Sequence, residues 1–187
     1  MAWLAEIFPQ STIFRKTILI FLTVGNWHKG YDRLVEAVDM FKARNVISDE
    51  VIAQVGSGSY RPSNLQEIDY CSPTEFVDIM AKSRVVITHA GIGTIGQAIE
   101  LSKPAIVVPR KAELGECSDN HQWTTAKELE EEGKILVANE VSELPDKLKQ
   151  AENFVPARRQ SGEKIIEAVE VFLKKLKVNK CCDSNNE

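Results

Sequence analysis

The centre of the chain reads Arg84-Val-Val-Ile-Thr-His-Ala-Gly-Ile-Gly-Thr-Ile-Gly-Gln-Ala-Ile-Glu-Leu-Ser-Lys-Pro-Ala-Ile-Val-Val-Pro-Arg110. Residues 85–88 form a short β-branched apolar run, which is typical of a buried parallel strand. A glycine-rich turn at residues 90–93 follows, and residues 94–102 have helical character before Pro104 opens a second apolar strand. The segment therefore predicts a strand, a loop of phosphate size, a helix and a strand.

The turn in this segment has the features of an anion-binding site. Gly91 and Gly93 carry no Cβ, so the backbone can adopt unusual φ values and an anion can come close to it. The first turn of the next helix offers unpaired N–H groups and the positive end of the helix dipole. We expect this turn to hold a nucleotide diphosphate, and to stabilise the charge of a leaving diphosphate without a metal ion.

The composition is that of an ordinary globular domain. The chain has 187 residues, of which 43% are hydrophobic and 27% are charged, enough for one substantial core. Its net charge of −4 argues against a nucleic-acid partner, because binding to a phosphate backbone usually needs a basic excess. The cysteines form no Cys-x-x-Cys pair, which argues against disulfides or zinc and favours a reducing cytosol. No apolar run reaches the roughly 18–20 residues that cross a bilayer.

The rest of the chain alternates predicted strands with predicted helices. Strands are predicted at residues 17–24, 51–55, 68–71 and 135–138, and helices at residues 31–44, 75–83, 118–132, 142–150 and 162–177. Repeated βα units with apolar strands imply an α/β fold with a doubly wound, Rossmann-like parallel sheet. We place this domain at residues 17–177, with an N-terminal extension at 1–16 and a disordered tail at 178–187.

Ligands of such a sheet bind beyond the carboxyl ends of its strands. Three loops follow predicted strands and share that rim, at residues 25–30, 56–60 and 89–93. Gly25 and Gly56 open the first two loops and are therefore candidate ligand contacts.

A dinucleotide site is an alternative for the central turn. Gly91-x-Gly93-x-x-Gly96 matches the dinucleotide fingerprint, and Glu113 lies about 20 residues further on, where a ribose-binding acid would be sought. That fingerprint normally occupies the first βα turn of its fold, whereas at least two predicted strands precede it here. We therefore keep an NAD(P)-binding protein as the lesser alternative.

The central segment also carries a family resemblance. His89-Ala-Gly-Ile-Gly-Thr94, Ala98-Ile-Glu-Leu-Ser-Lys-Pro104 and Val107-Val-Pro-Arg110 resemble the C-terminal, donor-binding domain of glycosyltransferase family 28. The likeness covers residues 17–150, and the motifs occur there in the same order as in the family. Within the family, the chain most resembles the bacterial exopolysaccharide transferases that work as two subunits. The resemblance implies the C-terminal half of a GT-B glycosyltransferase.

The resemblance also implies a function. It suggests the catalytic, donor-binding subunit of an inverting UDP-sugar-dependent enzyme, which transfers a hexosyl group to a lipid-linked saccharide acceptor in polysaccharide biosynthesis. A membrane-associated partner subunit would present the acceptor, so we expect a cytoplasmic protein held at the inner face of a membrane through that partner. No cofactor or metal is expected. A regulatory or scaffold protein that binds nucleotide sugars without turnover is the alternative.

The family pattern then supplies candidate site residues. Those implied to bind the donor are Gly25, Gly56, His89, Gly91, Gly93, Thr94, Gln97, Glu100, Arg110, Glu116, Asn120, His121 and Gln122. His28 and His89 are the candidate catalytic residues. Gln97 stands where related enzymes carry a ribose-binding glutamate, and it can still form hydrogen bonds. Two other interpretations stay open: His89 could simply hold the turn, and Arg110 could be a solvated surface charge.

Overall fold

The computed structural model describes residues 18–157 of the chain. The predictions for residues 1–16, 162–177 and 178–187 lie outside this range. In chain order the strands and helices are β1 (Leu19–Thr23), α1 (Asp32–Ala43), β2 (Glu50–Gln54), β3 (Gln66–Ile68), α2 (Pro73–Lys82), β4 (Val85–Thr88), α3 (Ile92–Glu100), β5 (Ala105–Val107), α4 (His121–Glu131), β6 (Leu136–Val137) and α5 (Leu144–Ala151).

The six strands form one parallel sheet in the order β3-β2-β1-β4-β5-β6. This is the order of the doubly wound Rossmann-like fold, in which the chain reverses direction across the sheet after the third strand. The predicted fold class is therefore confirmed. The reversal makes β1 and β4 neighbours, and the loops that follow them diverge to opposite sides. A crevice opens at this switch point.

Apolar side chains cover both faces of the sheet. On one face, α1 and α5 pack on the strands through residues such as Leu34, Val38 and Leu148. On the other face, α2, α3 and α4 pack through residues such as Ile79, Ile95 and Ala126. Because both faces are buried, the central strands are mostly apolar, as is typical of parallel sheets, and polar residues occur at their carboxyl ends.

Helix α2 begins where its capping signal predicts. The Ser72 hydroxyl accepts the N–H of Glu75 at 3.3 Å, and the Glu75 carboxylate accepts the N–H of Ser72 at 2.8 Å. This reciprocal pair is a capping box, with Pro73 in the first helical turn.

Several predicted boundaries were wrong. β3 lies at Gln66–Ile68, before the predicted residues 68–71. Helix α3 begins at Ile92 instead of residue 94, so the central loop is shorter than expected. Helix α4 begins at His121 instead of residue 118, because side chains hold residues 111–120 as a folded loop. The side-chain bonds in the loop before α4 join residues 5 and 8 positions apart, and hydrophobic periodicity does not report such bonds.

Candidate functional site

A pocket of about 450 Å³ lies at the switch point of the sheet. We call it the switch-point pocket. It is lined by Gly25, Asn26, Gln54, Cys71, Pro73, Phe76, Val77, His89, Gly91, Gly93, Thr94 and Gln97. The volume is within the range of small-molecule sites. The structure therefore brings one part of the predicted site together here, namely Gly25, His89, Gly91, Gly93, Thr94 and Gln97.

The N-terminus of α3 forms one end of the pocket. Gly91 is the N-cap residue, and no side chain caps the helix. The N–H groups of the first helical turn have no partner within a helix, and they carry the positive end of its dipole. A Cβ on Gly93 would meet nothing within 4 Å, so the surface beside these N–H groups is open. This end of the pocket is suited to an anion.

The imidazole of His89 lies between two glycines. A Cβ on Gly25 would stand 2.5 Å from His89 Cε1, and one on Gly91 would stand 2.7 Å from the same atom. Gly25 also has φ +73°, which side chains disfavour. The sequence pattern predicted that the glycine at position 91 lets a ligand approach closely. The structure gives a different reason, because this glycine makes room for His89.

His89 is neutral at physiological pH. Burial of the ring, together with the positive charge of Arg110, lowers the pKa of His89 to about 4. The ring Nδ1 lies 3.3 Å from the hydroxyl of Thr88. A neutral imidazole can donate one hydrogen bond and accept another, but it is a weak base at this pKa.

An apolar wall forms the other end of the pocket. Cys71, Pro73, Phe76 and Val77 supply it, from the β3–α2 loop and the first turns of α2. The ring of Phe76 packs edge-on against Phe21 with centroids 5.2 Å apart, which anchors the wall to the sheet. None of these four residues was a predicted site residue. The capping signal at Ser72 could have found this wall, since it starts a helix at the carboxyl end of a predicted strand.

Arg110 does not lie in the pocket. Its side chain is only 1% exposed, and its guanidinium donates to the carbonyl oxygens of Val24 at 3.0 Å, Gly30 at 2.8 Å and Glu116 at 3.1 Å. The guanidinium also lies over the ring of Tyr31 at 4.6 Å. Both earlier interpretations need correction: Arg110 is neither a solvated surface charge nor placed to contact a ligand, and it ties the β1–α1 loop to the β5–α4 loop.

Glu116 is also engaged within the protein. Its carboxylate accepts from Arg33 Nε at 2.7 Å and Nη2 at 3.0 Å, and from the N–H of Lys111 at 2.8 Å. The predicted donor contact at Glu116 is therefore replaced by an ion pair that holds the β5–α4 loop against α1.

The other predicted residues lie outside the switch-point pocket. The side-chain oxygen of Asn120, in the β5–α4 loop, accepts the N–H of Ala112 at 3.2 Å. The side-chain oxygen of Gln122, in the first turn of α4, accepts the N–H of Arg110 at 3.2 Å. His121 is exposed at the first residue of α4.

Three further predicted residues also lie away from the lining. His28 is exposed, with its ring 4.7 Å from that of Trp27. Gly56 is buried beneath the rim, where a Cβ would stand 3.1 Å from the carbonyl oxygen of Gly25. Glu100 is the last residue of α3, at the end opposite the pocket.

Residues 18–157 contain neither a cluster of metal-ligating side chains nor a helix suited to span a membrane. No group of three or more His, Cys, Asp or Glu side chains in this range is arranged to hold a metal ion. Within the same range, none of the helices has both the length and the apolar character to span a bilayer.

The sheet order and the position of the pocket are those of a Rossmann-like fold, in which ligands bind at the topological switch point. Comparison with known families agrees with this fold and also identifies the family. Residues 19–177 match the family described as the glycosyltransferase family 28 C-terminal domain. The chain therefore belongs to this family.

Individual relatives are similar over part of their length. The UDP-N-acetylglucosamine transferase subunit ALG13 of Candida glabrata is 26% identical over 137 residues, which cover 71% of this chain and 66% of that protein. The UDP-N-acetylglucosamine–N-acetylmuramyl-(pentapeptide) pyrophosphoryl-undecaprenol N-acetylglucosamine transferase of Prochlorococcus marinus is 26% identical over 114 residues, or 60% of this chain and 30% of that one. The chain thus spans less than two thirds of either relative.

A solved structure supports the fold. The calicheamicin glycosyltransferase CalG4 superposes with a TM-score of 0.56 at 14% identity, over 80% of this chain and 41% of that one. The chain therefore has the fold of one half of a GT-B glycosyltransferase, as predicted.

Proposed function

We propose that this chain is the donor-binding subunit of an inverting UDP-sugar-dependent glycosyltransferase. It transfers a hexosyl group to a lipid-linked saccharide acceptor, which a membrane-associated partner subunit presents. Within this proposal the chain is a peripheral protein on the cytoplasmic side of the membrane. The finer likeness to bacterial exopolysaccharide enzymes stays a prediction.

The two unlike ends of the switch-point pocket are the observation that carries the proposal. The open N-terminal turn of α3, next to Gly93, suits a diphosphate, because its N–H groups and dipole favour negative charge. The apolar wall around Phe76 suits a flat base. Gln97 lines the pocket on α3 and is the candidate partner for ribose hydroxyls. A nucleoside diphosphate has a part to match each of these three features.

The N-terminus of α3 also gives the pocket a chemical role. Transfer of the sugar leaves a UDP whose β-phosphate gains negative charge as the glycosidic bond breaks. Backbone N–H groups already aimed at that position would stabilise the charge in the transition state without reorganising. We therefore include no metal ion in the proposed mechanism.

The proposed partner subunit is supported by the chemistry of the pocket and by the relatives. An inverting transfer needs a base for the acceptor hydroxyl. Among the described residues, no carboxylate lines the pocket, and His89, with its pKa of about 4, is a weak base. The Candida relative is named a transferase subunit, and the Prochlorococcus relative is named for a pyrophosphoryl-undecaprenol substrate. Both names fit an acceptor half that completes the site.

The lack of a strong base among the described lining residues also favours the second candidate function, which is nucleotide-sugar binding without turnover. A protein that binds nucleotide sugars without turnover would need the same pocket and no base. The NAD(P) alternative has less support, because the Gly91-x-Gly93-x-x-Gly96 turn follows β4 and not β1.

Transfer assays separate these functions. The chain is co-expressed with the candidate membrane subunit, and labelled sugar is followed from UDP-N-acetylglucosamine, then from other UDP-sugars, into lipid-linked product. Product that needs both subunits supports the proposal. UDP binding with no product under any donor supports the non-catalytic alternative, and saturable NAD binding with no response to UDP contradicts both.

A further inference from the structure

Gln54 is a buried polar side chain in the floor of the switch-point pocket. It is the last residue of β2, is 3% exposed and lines the pocket, although the three residues before it are apolar. A buried amide destabilises a protein unless its polar atoms are hydrogen-bonded. The orientation of this amide therefore decides what the pocket floor presents to a ligand.

Thr23 fixes that orientation. Thr23 and Gln54 are paired in the parallel register of β1 and β2, so their side chains lie on the same face. The Thr23 hydroxyl donates to Gln54 Oε1 at 2.6 Å and accepts the N–H of Gly25 at 3.4 Å. Because the carbonyl end of the amide is directed at Thr23, Nε2 is the end that can donate to a ligand.

The sheet order places Gln54 at the apolar end of the pocket. β2 lies between β1 and β3, and Cys71 and Pro73 follow β3. The anion-binding turn of α3 follows β4, on the other side of β1. A nucleotide with its diphosphate at α3 and its base on the wall around Phe76 therefore brings the base edge, and not the phosphates, towards Gln54.

We propose that Nε2 of Gln54 donates a hydrogen bond to the base oxygen that uracil carries where cytosine carries an amino group. This inference rests on the proposed function, since it assumes a nucleoside diphosphate in the pocket. The amino group of cytosine is itself a hydrogen-bond donor, so it could not accept from Nε2 of Gln54. Buried donors left without acceptors lower affinity. Gln54 is thus a specificity-determining residue that makes the pocket prefer UDP over CDP.

The test compares UDP and CDP binding by calorimetry in the wild-type chain and in Gln54→Met. Methionine keeps the length of the side chain and removes the amide. We expect the UDP dissociation constant to rise about tenfold, the effect of one hydrogen bond, while the CDP constant changes less than about twofold. Unchanged UDP affinity in a folded variant, or an equal loss for both nucleotides, overturns the assignment.

Gln97→Met is the matched control in the same pocket. Gln97 faces the part of the nucleotide that UDP and CDP share, so its variant should leave their affinity ratio unchanged. A ratio that changes as much as in Gln54→Met overturns the assignment.

If Gln54→Met does not fold, Thr23→Val releases the amide without touching the ligand. The preference for UDP should then fall several-fold, and an unchanged preference overturns the inference.

The outcome also separates this inference from the proposed function. Wild-type chain that binds neither nucleotide contradicts both. Wild-type chain that binds UDP, with a selectivity that Gln54→Met leaves intact, contradicts the role of Gln54 alone.

Discussion

Gly91 lies so close to His89 that a Cβ on the glycine would stand 2.7 Å from Cε1 of the imidazole and closer still to Nε2. Real Cβ atoms essentially never come within 3.0 Å of such a neighbour. The glycine and the histidine are therefore one packing unit at the start of α3.

This packing predicts coupling between the two positions. Gly91→Ala should lower the free energy of unfolding by about 1–3 kcal/mol, the usual range for overpacking. In a His89→Ala background the same change should cost less, because the ring that it collides with is gone. Urea unfolding of the two single variants and the double variant measures the coupling. Additive effects would show that the ring and the glycine do not constrain each other.

A second prediction concerns Gly93, where a side chain has room. Gly93→Ala should raise the UDP dissociation constant about tenfold, because a methyl group would keep the diphosphate from the N–H groups of α3. The fold should remain intact, since a Cβ there meets nothing within 4 Å.

Gly96→Ala is the matched control for that experiment. Gly96 is on the same helix, has equally open space and does not line the pocket. Alanine there should stabilise the helix by up to about 1 kcal/mol and leave UDP affinity unchanged. Equal UDP affinity of the Gly93 and Gly96 variants would contradict the assignment of the diphosphate site to the N-terminus of α3.

The buried His89 also predicts a pH dependence of stability. Its pKa is about 4 in the folded chain and about 6.5 in an unfolded one. Below pH 6.5 the unfolded chain therefore binds a proton that the folded chain binds only near pH 4. The free energy of unfolding should fall as pH drops through this window, by at most about 1.4 kcal/mol per pH unit.

His89→Gln isolates this contribution. Unfolding free energies of both proteins, measured from pH 7 to pH 4, should differ in slope in that window and run parallel above it. Parallel curves throughout would mean that the folded His89 titrates normally.

Arg110 should be essential for stability. Replacement by methionine leaves the carbonyl oxygens of Val24, Gly30 and Glu116, which are buried or partly buried, without their donor, and we expect a loss of about 3 kcal/mol or more. Arg110→Lys should recover little of it, because one ammonium cannot reach carbonyls that a planar guanidinium spans. Chemical denaturation measures both variants, and near-wild-type stability of the lysine variant would contradict the role of the planar group.

The sequence predicts the fold well where its signals are local. The apolar run at Val85–Thr88, the glycines after it and the cap at Ser72 each act within a few residues, and the structure has the strand, turn and helix that they predict. Arg110 and Glu116 were assigned wrongly for the opposite reason. Their partners, Gly30 and Arg33, are about 80 residues away in the chain, and no periodicity reports such contacts.

The candidate site shows the same difference between local signals and long-range contacts. The α3 side was predicted because it lies within the central segment. Gln54 was missed because the hydrogen bond that distinguishes it joins it to Thr23, 31 positions away in the chain. Pairing of this kind becomes visible only when the sheet order is known.

The sheet order also determines when the crevice can form during translation of the chain. β1 and β4 are adjacent in space, yet the whole of α1, β2, β3 and α2 lies between them in the chain. A ribosome-bound chain therefore has no crevice for a nucleotide until β4 has emerged and docked beside β1. Such long-range pairing forms slowly, so nucleotide capture by nascent chains of increasing length would report the moment at which the sheet closes.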